Sequence, residues 1–259
     1  IEWRDVANNV SSFAHPELLV APAALADRLR DDELAGRQAP LLLDVRPAEA
    51  FAAGHVSGSV HIDLWGVSLI DSDPAPLRAF LWMIHHLLAQ RGIRDDRPVV
   101  LVDQVSGLRA ARAFWFLEFF GHRHVSVLDG GADAWIRAGL PLSTLTEAAV
   151  PAAWSEEHRP DLLATWQDVL ARLEQPGVVL LDTRTTEEYT GQLVRARRGG
   201  TIPGSVHIEW TRNLAPDGTF LPPADLQALY TAAGVTPDRE VVTYCQGAYR
   251  AAHSYLALR

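Results

Sequence analysis

The sequence predicts an α/β protein of two tandem domains, each a mostly parallel sheet flanked by helices on both faces. Three observations predict it. A set of short motifs occurs twice in the same order, short apolar β-prone runs alternate with helix-length segments, and a proline-bearing stretch interrupts both periods near the middle of the chain.

The repeat is read directly from the residues. Leu41-Leu42-Leu43-Asp44-Val45-Arg46, with Glu49 and Phe51 following, returns as Val179-Leu180-Leu181-Asp182-Thr183-Arg184 with Glu187 and Tyr189, at an offset of 138. Gly54-His55-Val56-Ser57-Gly58-Ser59-Val60-His61-Ile62 returns as Gly200-Thr201-Ile202-Pro203-Gly204-Ser205-Val206-His207-Ile208, at an offset of 146, so the second copy carries eight extra residues, among them Arg195, Arg197 and Arg198. Val99-Val100-Leu101-Val102 and the run from Arg109 return as Val241-Val242-Thr243-Tyr244 and the run from Arg250.

In the first unit, short apolar runs predict strands near 41–44, 59–62, 98–102 and 125–128, and apolar residues at helical spacing predict helices over 77–90 and 109–120. The stretch 146–160 contains two prolines and follows neither period. Domains of 15–145 and 160–259 follow, joined by a linker at 146–159. The first unit continues past its second helix through a strand at 125–128, Asp129-Gly130-Gly131 and Trp135, whereas the second stops at Arg259. Internal homology therefore predicts that roughly 20 or more residues follow Arg259 in the complete second domain.

Composition narrows the function classes. A net charge of -9 and a pI near 5.5 repel phosphate, which excludes non-specific attraction to nucleic acid or anionic membrane and favours a small molecule or a protein as partner. No apolar run reaches the roughly 18 to 20 residues that cross a bilayer, so a soluble chain is expected. The single cysteine cannot form an internal disulfide, which suits a reducing, cytoplasmic compartment.

That cysteine carries the strongest chemical signal. Tyr244-Cys245-Gln246-Gly247-Ala248-Tyr249-Arg250-Ala251 lies between an apolar strand and a helix. Ligand sites of open α/β sheets gather at the carboxyl ends of strands. A loop curling ahead of a helix aims successive backbone N–H groups at an anion, which would stabilise a thiolate or a negatively charged sulfur ligand. In that reading Gln246, Gly247, Ala248 and Tyr249 line the substrate, Gly247 provides the permissive turn, and the Arg250 cation closes the pocket around Cys245. The counterpart of Cys245 in the first unit is Asp103, followed by Gln104-Val105-Ser106-Gly107-Leu108-Arg109, so that copy keeps the arginine and lacks the nucleophile. Since a core position rarely accepts Asp, both loops are expected to be solvent-facing strand ends.

Arg195, Arg197 and Arg198 form a basic cluster in an acidic chain and are candidate donor-binding residues, because guanidinium suits bidentate anion recognition. Asp44 with Arg46 and Asp182 with Arg184 occur in both units, including the one without cysteine, which favours structural hydrogen bonding. His55, His61 and His207 lie on repeated segments and are expected to be packed rather than metal-bound. The adjacent His85 and His86 diverge on a helix and cannot chelate together, so neither metal nor cofactor is expected. Phe114-Trp115-Phe116 and Phe119-Phe120 read as core and inter-domain packing.

Together, the Asp-x-Arg near each domain start, Gly54–Val60 and Gly200–Val206, Asp129-Gly130-Gly131 with Trp135, and the Cys245 loop resemble the tandem-domain rhodanese family of thiosulfate and 3-mercaptopyruvate sulfurtransferases, over nearly the whole chain. The resemblance implies a transferase in which the Cys245 thiolate takes the outer sulfur of a donor as a persulfide, releases sulfite or pyruvate, and passes the sulfur to cyanide or to a thiol, including that of a thioredoxin-like protein. It also implies that the insertion bearing Arg195, Arg197 and Arg198 borders the site. Cell-cycle phosphatases share the fold but encircle phosphate with Cys-x5-Arg, whereas Cys245 to Arg250 is Cys-x4-Arg. The sequence Cys245-Gln246-x-x-x-Arg250 is most similar to bacterial thiosulfate enzymes. The mercaptopyruvate donor is the alternative within the enzyme class, and a dormant, non-enzymatic sulfur-binding or regulatory module is the alternative outside it. One departure stands out: where animal members carry a donor-binding arginine before the aromatic, this chain has Glu188.

Overall fold

The computed structural model describes residues 12–259 except Ile70, Glu156 and Glu174, and divides them into two compact units. The first comprises 17–163 together with 216–219, and the second 12–16, 164–215 and 220–259.

In the first unit, β1 (Leu19–Val20), α1 (Pro22–Leu34), β2 (Leu41–Asp44), α2 (Ala48–Ala53), β3 (Ser59–His61), α3 (Pro74–Ala89), β4 (Val99–Val102), α4 (Leu108–Phe119), β5 (Val125–Leu128) and α5 (Gly131–Arg137) follow one another along the chain. The sheet is wholly parallel, in the order β1-β5-β4-β2-β3. β2 and β4 are buried along their whole length, as strands covered on both faces must be, and hence read as unbroken apolar runs. On one side Leu25, Leu42, Val100, Val102, Leu128 and Trp135 close a core. Phe114, Phe116, Phe119 and Phe120 are buried within this unit. Residues 146–159, expected as a linker, belong to this unit, and Trp154 is buried there, stacked on His85 at 4.6 Å between ring centroids.

The second unit contains α6 (Trp166–Arg172), β6 (Val178–Asp182), α7 (Thr186–Thr190), β7 (Val206–His207), α8 (Pro223–Ala232), β8 (Glu240–Tyr244) and α9 (Tyr249–Leu258). Its three strands are parallel, in the order β7-β6-β8, which repeats the β3-β2-β4 arrangement. The registers match: Asp44 faces Val102, and Asp182 faces Tyr244.

Both Asp-x-Arg motifs hold their units together. Arg46 Nη2 donates to Asp44 Oδ2 at 2.7 Å and to the Gly54 carbonyl at 2.8 Å, and Arg184 Nη2 donates to Asp182 Oδ2 at 2.6 Å and to the Gly200 carbonyl at 2.8 Å. Each guanidinium thus ties the end of a central strand to the segment that leads into its neighbour. His61 and His207 play matching parts, their Nε2 atoms 2.9 and 2.8 Å from the carbonyls of Arg46 and Arg184. His55 is likewise satisfied, within 3.0 Å of two backbone carbonyls and stacked on Phe51.

Candidate active site

Cys245 lies where β8 ends, partly exposed, and α9 begins four residues later. The strand holding it is anchored by Tyr244, whose carbonyl accepts from Thr183 N at 3.1 Å and from Thr183 Oγ1 at 3.0 Å. The Tyr244 hydroxyl lies 3.0 Å from Asp182 Oδ2, 2.9 Å from Ser205 Oγ and 2.6 Å from Thr201 Oγ1, and accepts from Ile202 N–H at 3.2 Å. Burial drives the Tyr244 phenol above its ordinary value, so it stays a neutral donor. Burial alone would also raise Asp182, but bonds from Arg184 and Tyr244 outweigh it and hold the carboxyl below its usual range. This cluster joins the strand before Cys245 to the segment following the arginine insertion. The first unit has only Val102 at the position of Tyr244.

From Cys245 the chain turns through exposed Gln246, half-buried Gly247 and exposed Ala248 into the first turn of α9. The left-handed residue is Ala248, at φ 65°, and not Gly247 as the sequence suggested. Ala is held there because only four residues separate Cys245 from Arg250, so the chain must reverse sharply to start the helix. The first-turn N–H groups of α9 lack intrahelical acceptors and point their dipole ends toward the loop.

Arg250 approaches both the thiol and a buried carboxylate. Its Nη1 donates to Glu188 Oε2, and its Nη2 donates to Glu188 Oε1 at 3.1 Å. Burial would lower its pKa, yet the bonds from Glu188 and the proximity of Cys245 keep it raised, so it is a permanent cation at the sulfur. The Glu188 side chain is 1% exposed, and Arg195 Nε lies 3.5 Å from its Oε1. Glu188 also caps α7 reciprocally with Thr185: Glu188 N donates to Thr185 Oγ1 at 3.3 Å, and Thr185 N to Glu188 Oε2 at 3.2 Å. The Arg250 hydrogen bonds bring the Glu188 carboxyl down to about 2.

The structure therefore assembles Cys245, Gln246, Gly247, Ala248, Tyr249 and Arg250 in one loop and links Arg195 to it through Glu188. Arg197 and Arg198 are exposed on the insertion. Arg250, expected to close the pocket with its cation, is paired with Glu188. In the sequence, Glu188 stands out only as the residue in place of an arginine. Its spacing from Thr185, Thr-x-x-Glu, is the capping signal that could have shown it buried and fixed.

The corresponding loop of the first unit overturns one expectation. Asp103 is 5% exposed, so it is no solvent-facing strand end. Its carboxylate turns back into the loop, accepting from Gln104 N at 2.8 Å, Arg109 N at 3.0 Å and Ala110 N at 3.1 Å. Backbone amides make burial of Asp tolerable here, which residue type alone does not reveal. Arg109 turns aside, pairing with Asp63 and lying over Trp65 at 4.6 Å. Among the described residues, no cluster of His, Cys, Asp or Glu is placed to hold a metal ion, and no helix is long and apolar enough to cross a membrane.

A doubled parallel-sheet unit whose second copy alone ends a strand in a cysteine loop defines a class, and comparison with known proteins places the chain within it. Residues 21–138 and 165–259 both match the model of the rhodanese-like domain, and the chain belongs to that family. It is 32% identical over 250 residues to a thiosulfate sulfurtransferase of Azotobacter vinelandii, a match spanning 95% of this chain and 89% of that protein. It is 30% identical over 262 residues to the sulfur carrier protein TtuD of Thermus thermophilus, spanning 95% and 88%. Among solved structures, 3-mercaptopyruvate sulfurtransferase SseA of Escherichia coli superposes with a TM-score of 0.75 at 24% identity, over 93% of each chain, a likeness of fold.

Proposed function

We propose that this protein is a sulfurtransferase that moves the outer sulfur of thiosulfate to cyanide or a thiol through a persulfide on Cys245. The observation that carries the reading is a partly exposed cysteine at the strand end, facing the start of α9 and the Arg250 cation. The Cys245 thiolate attacks the outer sulfur. The sulfur–sulfur bond of thiosulfate breaks, its electron pair leaves with sulfite, and Cys245 keeps the sulfur as a persulfide anion. The acceptor, cyanide or a thiolate, then attacks that terminal sulfur and restores the thiolate. Loop amides and the helix start stabilise the anionic sulfur at each stage. Gln246, Gly247, Ala248 and Tyr249 shape the loop, and Arg195, Arg197 and Arg198 supply the positive charge that Glu188 withdraws from Arg250.

Residues 160–259 form the catalytic domain of this reading, and 15–145 its cysteine-free counterpart. Names of relatives at about 30% identity support the thiosulfate donor, and the fold likeness to SseA keeps 3-mercaptopyruvate as the second donor to test. A reducing cytoplasm, with a small thiol or a thioredoxin-like protein as acceptor, suits a lone persulfide-bearing cysteine.

The test is thiocyanate formation from thiosulfate and cyanide. Wild type is expected to turn over and Cys245→Ser to fall to the uncatalysed rate. Equal rates would remove the persulfide mechanism, and turnover only with mercaptopyruvate would select the second donor.

A further inference from the structure

A site for an anionic sulfur donor has no evident need of a buried carboxylate, yet Glu188 sits in this one. Its two oxygens take both terminal nitrogens of Arg250, and Arg195 of the insertion reaches toward the same carboxylate. The Arg250–Glu188 pair by itself sums to zero, one positive and one negative charge. A donor meets no net positive field from the cation nearest the sulfur.

We propose that Glu188 is a specificity-determining residue: by pairing with Arg250 it withholds that cation from the donor and so weakens doubly charged donors relative to singly charged ones. This rests on the persulfide reading above. Thiosulfate carries two negative charges and 3-mercaptopyruvate one, so a unit change of charge near Cys245 acts on the first about twice as strongly. Across several ångströms of a partly solvated cleft, that difference corresponds to roughly three- to tenfold in relative efficiency. Glu188 also fixes Arg250 in place through its cap on α7, so removing only its charge is the informative change.

Glu188→Gln retains hydrogen-bonding capacity and shape. Measured at constant ionic strength in the full chain, the ratio of kcat/KM for thiosulfate to that for mercaptopyruvate is expected to rise roughly three- to tenfold, mainly through KM for thiosulfate, and to shrink back toward the wild-type ratio in high salt. The complementary Arg250→Gln leaves the carboxylate without its principal partner, and the ratio is expected to fall. Alkylation of Cys245 by the uncharged reagent iodoacetamide reports whether the thiolate itself has changed. It separates a donor effect from a loss of nucleophile, and should move far less than the donor ratio in Glu188→Gln. An unchanged or lower ratio in folded Glu188→Gln overturns the proposal. If that variant does not fold, an unchanged ratio in Arg250→Gln overturns it equally. Absence of persulfide on wild-type Cys245 with either donor, read by intact mass, is a failure of the underlying mechanism and is distinguishable from either result.

Discussion

The two strand-end loops, at Asp103 and at Cys245, are built on the same register and reach opposite solutions. In the first, a carboxylate folds into the ring of backbone amides and fills it, and the following arginine leaves to pair with Asp63. In the second, a thiol holds the position, the loop is one residue shorter before its arginine, and the arginine stays beside the sulfur, bound by Glu188. The two carboxylates respond oppositely to these settings. Burial prevails at Asp103, whose pKa is raised despite the amides, whereas the full cation of Arg250 prevails at Glu188 and lowers it to about 2. Amide dipoles make burial of a negative charge tolerable, and a guanidinium makes it favoured.

The contrast can be broken most severely at Asp103. Asp103→Ala empties the first loop and leaves three amide donors that the carboxylate had satisfied, a loss of up to about 3 kcal/mol of unfolding free energy in urea. Thiocyanate formation should remain within about twofold of wild type, since no reacting group is touched. A parallel collapse of activity in a variant that is still folded would show that the first loop is more than a filled copy of the second.

A somewhat smaller effect should appear in acid. The Glu188 carboxyl is depressed to about 2 in the fold. Its stabilising contribution is therefore complete above the ordinary value near 4.5 and is lost as pH falls toward 2. Glu188→Gln does not titrate there. The stability difference between wild type and this variant should narrow by about 2 kcal/mol between pH 6 and pH 3 in urea titrations. A constant difference would mean that Arg250 does not hold the carboxyl down.

How far these loops can be read from sequence depends on what each residue needs around it. The doubled sheet is legible because strands covered on both faces read as apolar runs, and Leu41 to Leu43 and Val99 to Val102 stand out for that reason. β1 has two residues, and α1 buries only Leu25 of its apolar residues, so neither gives a clear signal. Cys245 and Arg250 were legible as a pair because their spacing lies within one segment. Burial of Asp103 was not, since its amide partners are backbone groups that any sequence possesses. The Glu188–Arg250 pair is hidden by the 62 positions that separate its members along the chain. The hydroxyl network of Tyr244 likewise joins residues from three separate segments.

The smallest effect sharpens the difference in loop length. Helix α4 starts from Gly107 at φ -104°, an ordinary extended conformation, whereas α9 starts from Ala248 at φ 65°. The shorter path from Cys245 to its arginine places an L-residue where its Cβ crowds the backbone, at a cost of roughly 1–2 kcal/mol. Glycine removes that crowding but restores freedom to the unfolded chain, so Ala248→Gly should stabilise by about 1 kcal/mol or less, visible as a small rise in thermal midpoint. If the turn is set by length alone, the donor kcat/KM should stay near wild type, because glycine adopts the same angles. A stable variant with markedly slower persulfide formation would instead mean that the Ala248 side chain holds the amide ring open around sulfur, a constraint the Asp103 loop meets by filling its ring from within.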